Sequence, residues 1–267
     1  MTRFVRGLVA ALIAVGVLLP LLPLLLWSFA DRWFFPRLLP EVWTMDTWRY
    51  VASPSSRVAE ALMTSTAVAL AVVTLCIVLG LPAARAVALH DFRGRTLVEW
   101  LLMMPIVVPS LVVVMGIHIV LIRIGLADRL LGVILVHLAP ALPYFVLVMA
   151  GVFANYSTEL EETARTLGAS PWRTFLYVTL PAIFPGLLVA SMFTFLVSWT
   201  QYITTVLVGG GSIVTVPMVL FPLIGAANHA AAAAVSIVFV LPALLILGFT
   251  ARAVQQDVQA LGGLGRL

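Results

Sequence analysis

Long apolar runs separated by short polar stretches set the pattern of the chain. Five runs, at about 7–29, 61–88, 100–122, 131–153 and 176–207, are followed by a sixth at about 230–250. At ~1.5 Å rise per residue, each run reaches the ~30 Å of a bilayer's hydrocarbon core as a helix. The pattern predicts an all-α integral membrane protein, one domain over 1–267, with six transmembrane helices. Ile213 to Ile224, between Gly209-Gly210-Gly211 and Gly225, is apolar too, but it is short and interrupted by Pro217 and Pro222. Such a piece is expected to be re-entrant or interfacial, not a span. Leaving it out puts both termini on one side of the membrane.

Composition agrees. Of the 267 residues 63% are hydrophobic and 10% charged, against about 25% charged in soluble domains. From Thr174 to Ala251 there is no Asp, Glu, Lys or Arg, so lipid is the solvent for that stretch. Residues 1–30 have a signal-peptide outline, with Arg3 and Arg6 before an apolar run that ends at Ser28-Phe29-Ala30. The run is longer than a signal's apolar region and reads as a retained first helix. The chain emerges on the outer side in either case.

All 15 basic residues are arginine and none cluster, which excludes a nucleic-acid-binding patch. Cys76 lies in an apolar run as a small packing residue. With the N-terminus inside, nine arginines (3, 6, 85, 93, 95, 165, 173, 252, 266) are cytoplasmic and six (32, 37, 49, 57, 123, 129) are outside. That excess favours a cytoplasmic N-terminus. The outer loop, about 30–57, carries Trp33, Phe34, Phe35, Trp43, Trp48 and Tyr50. Aromatic side chains of this kind anchor a segment on the membrane's outer face.

The cytoplasmic loop at 154–175 carries the mechanism. Thr158 with Glu161 three residues on has the form of a capping box, predicting a helix start. Glu161 and Arg165 form an i,i+4 pair with the acid first, and Leu160, Ala164 and Leu167 share a face. Gly168 suits a left-handed C-cap. Ser170-Pro171 then opens a second helix, with proline at its first position. Two short helices with a sharp bend are more than a connection needs.

The spacing Glu162-Thr163-Ala164, three residues, Gly168, nine residues, Val178-x-Leu180-Pro181 resembles the EAA loop of binding-protein-dependent ABC permeases of the MetI-like type. Thr163 stands where the family has a second alanine. The six-helix layout is similar too, so the resemblance covers essentially the whole chain. It implies a permease subunit in the bacterial cytoplasmic (inner) membrane that forms the solute pathway of an ATP-driven importer. The partners it implies are separate ATP-binding subunits, a second permease subunit and an extracytoplasmic solute-binding protein. By resemblance, Glu162, Thr163, Ala164 and Gly168 form the element that couples to the ATPase, Glu161 and Arg165 flank it, and Leu180 and Pro181 close the motif. Phe195-Leu-Val-Ser-Trp-Thr-Gln-Tyr202 and the glycines after it look like the spermidine/putrescine-type branch, which makes a polyamine or another small solute the expected cargo.

No catalytic constellation is visible. There is no lysine, hence no Walker-type phosphate loop. The histidines at 90, 118, 137 and 229 lack metal-ligand spacing. No cofactor or metal is expected on this chain; ATP and Mg belong to the partner ATPase. Polar groups inside spans are costly and therefore informative. His118 and His137 read first as hydrogen-bond partners between helices and second as pathway groups. Ser198-Trp199-Thr200-Gln201-Tyr202 with Thr204 and Thr205 is a denser cluster, placed in the outer half of the fifth helix. Gln201, Thr204 and Thr205 share a face, which either lines a water-filled path or packs against another helix. Pro105, Pro109, Pro140 and Pro143 allow kinks. The rival class, an ion-gradient-driven secondary transporter, needs ion-coupling sites, typically membrane-embedded acids or broken helices, and commonly repeated halves; the sequence shows no acid at the centre of a span and no clear repeat.

Overall fold

The computed structural model describes residues 5, 7–9, 12, 15, 16, 19, 21–33 and 36–264, with side chains described except at Arg32 and 254–264. Arg3, Arg6, Phe34, Phe35, Arg266 and parts of the apolar run at 7–29 lie outside the described residues; within that run Leu21–Ser28 is helical.

In chain order the elements are α1 (Leu21–Ser28), β1 (Ala30–Arg32), β2 (Val42–Trp43), α2 (Asp46–Ala52), a 3-10 turn (Pro54–Ser56), α3 (Val58–Leu75), a π turn (Cys76–Gly80) and α4 (Leu81–Leu89). There follow α5 (Arg95–Val107), α6 (Ser110–Arg123), α7 (Leu130–Ala154), α8 (Glu159–Thr166), α9 (Pro171–Thr174), a second π turn (Phe175–Thr179) and α10 (Leu180–Trp199). α11 (Ile203–Gly209), α12 (Val216–Gly225) and α13 (His229–Leu264) complete the chain.

Among the described residues, Val58–Leu89, Leu130–Ala154, Pro171–Trp199 and His229–Ala253 are long and apolar enough to cross a membrane. The expected single span at 100–122 is instead two helices, α5 and α6, bent by 107° at Val108-Pro109. The cause is local. Val108 precedes proline and is extended (φ −76, ψ 135), and Pro109 also leaves the helical region (φ −52, ψ 127). The expected span at 176–207 is also interrupted: α10 stops at Trp199, and α11 starts only at Ile203. There the Thr200 hydroxyl donates to the Leu196 carbonyl at 3.0 Å, closing the last turn. In contrast, Pro140 and Pro143 lie inside an unbroken α7. The short segment after the triple glycine forms α12, ten residues long, with Pro222 inside it.

Contacts divide the chain into two units, 1–63 with 214–242 and 64–213 with 243–267. In the first, β1 pairs antiparallel with β2, Ala30 opposite Trp43. Aromatic rings gather beside this hairpin: Trp27 lies 4.7 Å from Trp33 and 5.0 Å from His229, and Phe29 lies 5.8 Å from Trp48. Trp33 thus packs on Trp27 at the end of α1, and Trp48 packs on Phe29, the residue after α1.

The second unit is built around α7, whose buried Val133, Val136, Phe145, Met149 and Phe153 pack with Val68 and Val72 from α3, with Cys76 from the first π turn and with Ile183 and Ala190 from α10. A Cβ on Gly186 of α10 would stand 2.4 Å from the Val152 side chain, so the bare glycine lets these helices meet closely. Large apolar side chains such as Leu70, Val78, Trp100, Val112 and Ile119 are exposed. In water such a surface would aggregate; in a membrane it faces lipid or another subunit.

Candidate functional site

The loop after α7 folds much as its residues predict. Gly168 adopts φ +87, the left-handed conformation that only glycine enters freely. Its N–H bonds the Arg165 carbonyl at 2.9 Å, and the Ala169 N–H bonds the Ala164 carbonyl at 3.0 Å, the paired bonds of a Schellman cap. Ser170 then caps α9, its hydroxyl oxygen accepting the Arg173 N–H at 3.4 Å, with Pro171 in the first turn. Glu162, Thr163, Arg165 and Gly168 are exposed and Ala164 is half-buried. Leu160, Leu167 and Trp172 stand bare at 58%, 84% and 67% exposure. Leu180 packs partly on the core, and Pro181 is exposed in the first turn of α10.

Two local expectations fail at Glu161. Thr158 has no side-chain cap bond; the Glu159 N–H is met instead by the Ser157 hydroxyl at 3.3 Å. Glu161 is therefore not half of a capping box, and at 4% exposure it is not a flanking surface contact. Its carboxylate takes two hydrogen bonds from the Arg85 guanidinium, at 2.8 and 2.6 Å, and a third from the Thr179 hydroxyl at 2.7 Å. The intended partner, Arg165, stays at 3.9 Å with an exposed side chain. The Arg85 fork holds the Glu161 carboxyl down at about 2 against an ordinary 4.5; burial opposes this, and the Thr179 bond adds to it. The Tyr156 phenol lies beside this carboxylate without a well-formed hydrogen bond, its pKa raised chiefly by burial. The Arg85 guanidinium also sits 5.8 Å over the Phe153 ring. The sequence does not announce Arg85 and Thr179: a lone arginine near the end of a span reads as a topology marker, and nothing pairs it with a residue 76 positions on.

The pathway candidates separate into two groups. His137 is fully buried and bridges two hydroxyls, Ser198 Oγ 3.0 Å from Nδ1 and Thr205 Oγ1 2.9 Å from Nε2. Thr205 also donates to the Gln201 carbonyl at 3.1 Å. The protons then run one way: Ser198 donates to Nδ1, the Nε2–H donates to Thr205, and Thr205 donates to Gln201. This chain of hydrogen bonds joins α7 to both sides of the break between α10 and α11, with His137 and Thr205 as its links. Trp199 is buried as well, stacked on Phe195 at 5.4 Å. His118 is half-buried on α6, outside this network, and Tyr202 is the residue before α11.

Gln201 behaves differently, whereas Thr204 is buried. The Gln201 side-chain oxygen accepts the Thr204 hydroxyl at 2.9 Å, and Gln201 borders a cleft of about 410 Å³. Val108, Pro109, Ser110, Pro140 and Thr200 also line it, so the break in α5–α6 and the break after α10 face one cavity. Pro140 and Pro143 have no N–H for the carbonyls of Val136 and Ala139, and both of these residues line a smaller void beside Gln201 and Thr204. The triple glycine serves a nearby turn. Gly210 has φ +53, and a Cβ there would stand against the Asp128 carboxylate.

The family model of binding-protein-dependent transport system inner membrane components matches residues 76–259. The diacetylchitobiose uptake system permease protein NgcG of Streptomyces coelicolor is 27% identical over 196 residues, 72% of this chain and 65% of that protein, so the match spans just under two thirds of NgcG. The molybdenum transport system permease protein ModB of Mycobacterium tuberculosis is 31% identical over 222 residues, 77% of this chain and 83% of that protein. A chain from the solved bacterial ABC transporter involved in import of the acidic polysaccharide alginate superposes with a TM-score of 0.71 at 15% identity, covering 94% of this chain and 98% of that one. The family match, the helical fold and the apolar spans agree: this chain belongs to the binding-protein-dependent transport system inner membrane components, multi-pass permease subunits of ABC importers whose ATP is hydrolysed by separate subunits.

Proposed function

We propose that the chain forms part of the solute pathway of an importer and couples to its ATPase through α8 and the bend at Gly168. The observation that carries this is the bare face of that loop. A helix with Glu162 and Arg165 in solvent also leaves Leu160 and Leu167 uncovered, beside an uncovered Trp172. Exposed apolar groups on a rigid, capped, otherwise charged knob suit a protein cleft better than lipid. In this reading Glu162, Thr163, Ala164, Arg165 and Gly168 meet the ATP-binding subunit, which holds ATP and Mg. A second permease subunit and an extracytoplasmic solute-binding protein complete the assembly. The apolar runs of the sequence support six spans, and with that number the arginine distribution supports a cytoplasmic α8 and a cytoplasmic N-terminus.

Solute passes the cleft at the two helix breaks, with Gln201, Thr200 and Ser110 as its polar wall. Non-helical backbone at membrane depth is tolerated where it lines such a cavity. The spermidine/putrescine-type branch remains the second reading, carried by Phe195–Tyr202. Against it, the cleft's lining holds hydroxyls and an amide but no carboxylate, which suits an uncharged or oxygen-rich solute better than a polyamine.

The test is purification of tagged protein from native membranes in mild detergent, with co-eluting chains identified by mass spectrometry. A Walker-type ATPase and a second permease are expected. Elution alone, after cross-linking as well, would overturn the proposal. With the complex in hand, Gly168→Arg and Glu162→Lys should leave the chain inserted but abolish its pairing with the ATPase.

A further inference from the structure

We infer that Glu161 is the positioning residue that passes movement of α8 into the membrane helices, while the neighbouring exposed residues do the docking. This rests on the coupling role proposed above and adds to it the route inward. Glu161 is one residue from Glu162, yet the two point to opposite destinies: Glu162 is exposed and Glu161 is buried. One carboxylate binds Arg85 on α4, at the end of the second span, and Thr179, where α10 begins. α8 is thus pinned at one point to two spans that the sequence separates by 94 residues (179 − 85).

The geometry suits transmission. A two-pronged guanidinium–carboxylate pair fixes direction as well as distance, which a single contact between apolar side chains does not. Burial keeps water from replacing the bonds as α8 moves. Both anchors also adjoin π turns, Cys76–Gly80 just before α4 and Phe175–Thr179 ending at Thr179 itself. A π turn inside an α-helix is a site of altered hydrogen-bond register. A pull on the anchored ends can be carried through there into the helix beyond it without breaking the clamp.

The test uses the complete transporter, co-purified with its ATPase and placed in phospholipid nanodiscs. Cys76→Ala leaves the chain free of cysteine, and spin labels go on Thr166→Cys, Val78→Cys and Ile119→Cys in pairs. Distances are measured without nucleotide and with ATP and vanadate. In the parent, Thr166 should shift against Ile119 while the Thr166–Val78 distance holds. In Glu161→Gln, Thr166 should still shift but the Thr166–Val78 distance should no longer hold. Thr179→Val, which removes one hydrogen bond and keeps the ion pair, should loosen it partially, and it substitutes for Glu161→Gln if that complex does not assemble. Parent labels at 166 and 78 that move independently, or a Glu161→Gln complex that moves as the parent does, would overturn the inference. A parent complex with no ATP hydrolysis, seen before any label is added, would instead sink the coupling role itself.

Discussion

Replacing Glu161 by alanine should be among the costlier single substitutions outside the apolar core. The change removes two charge-assisted bonds of 2.8 and 2.6 Å and leaves Arg85 without its partner. Breaking a buried pair by removing one member costs about 3–5 kcal/mol. The Arg85 side chain retains 28% of its exposure, so water can recover part of that loss. Linkage gives a second figure: a carboxyl held at about 2 instead of 4.5 corresponds to roughly 3 kcal/mol at 1.36 kcal/mol per unit. Discounting for Arg85's exposure leaves roughly 2–3 kcal/mol. At about 2–4 °C per kcal/mol for a chain of this size, the thermal transition should fall by about 4–12 °C. The assay is thermal aggregation of a fluorescent fusion in detergent, run as a cycle with Arg85→Ala and the double variant. If the pair is the cause, the double variant falls little further than Glu161→Ala. Additive losses, or a fall below about 1 °C for Glu161→Ala, would refute the reasoning.

The same carboxylate sets a pH dependence. Its pKa is lower in the folded chain than the ordinary value, so its stabilisation is complete above about 4.5 and drains away as pH falls toward about 2; the transition temperature of the parent should therefore drop faster between pH 5 and 3 than that of Glu161→Gln, measured in the same detergent. The groups facing it are Arg85, Arg165, Tyr156 and Thr179. Gly168→Ala places a Cβ at φ +87 and should cost about 1–2 kcal/mol, while Gly168→Asn should cost less, both read as thermal shifts. His137→Phe leaves the Ser198 and Thr205 hydroxyls buried without their shared partner and should cost about 2 kcal/mol, with His137→Gln recovering part of it in the same assay. In a Cys76→Ala background, Gln201→Cys should react with a membrane-impermeant charged thiol reagent and Ile119→Cys should not; inert Gln201→Cys in every nucleotide state would remove the cleft from the pathway.

What the sequence shows and what it hides follow from the range of the interactions. Gly168, Ser170 and Pro171 act through bonds that close within five residues, so their one-letter order announces the bend that the structure contains. The span Leu130–Ala154 is equally plain, because its whole length is apolar and its prolines do not interrupt it. The breaks were harder. Val108-Pro109 carries the residue-before-proline signal, but so does Ala139-Pro140, where the helix continues. Proline adjacency alone does not distinguish them; α7 runs through the packed centre of its unit, whereas α5 has no buried residue to hold it straight. Glu161 shows the same limit in another form. Local rules offered it Thr158 and Arg165, both within four positions, and the fold gave it Arg85 and Thr179. A partially exposed pair at i,i+4 contributes only about 0.3–0.5 kcal/mol, too little to outweigh a buried two-pronged bond once the helices bring Arg85 within reach. Glu162, one residue on, met no such competitor and stayed in solvent, where a contact with another protein remains open to it.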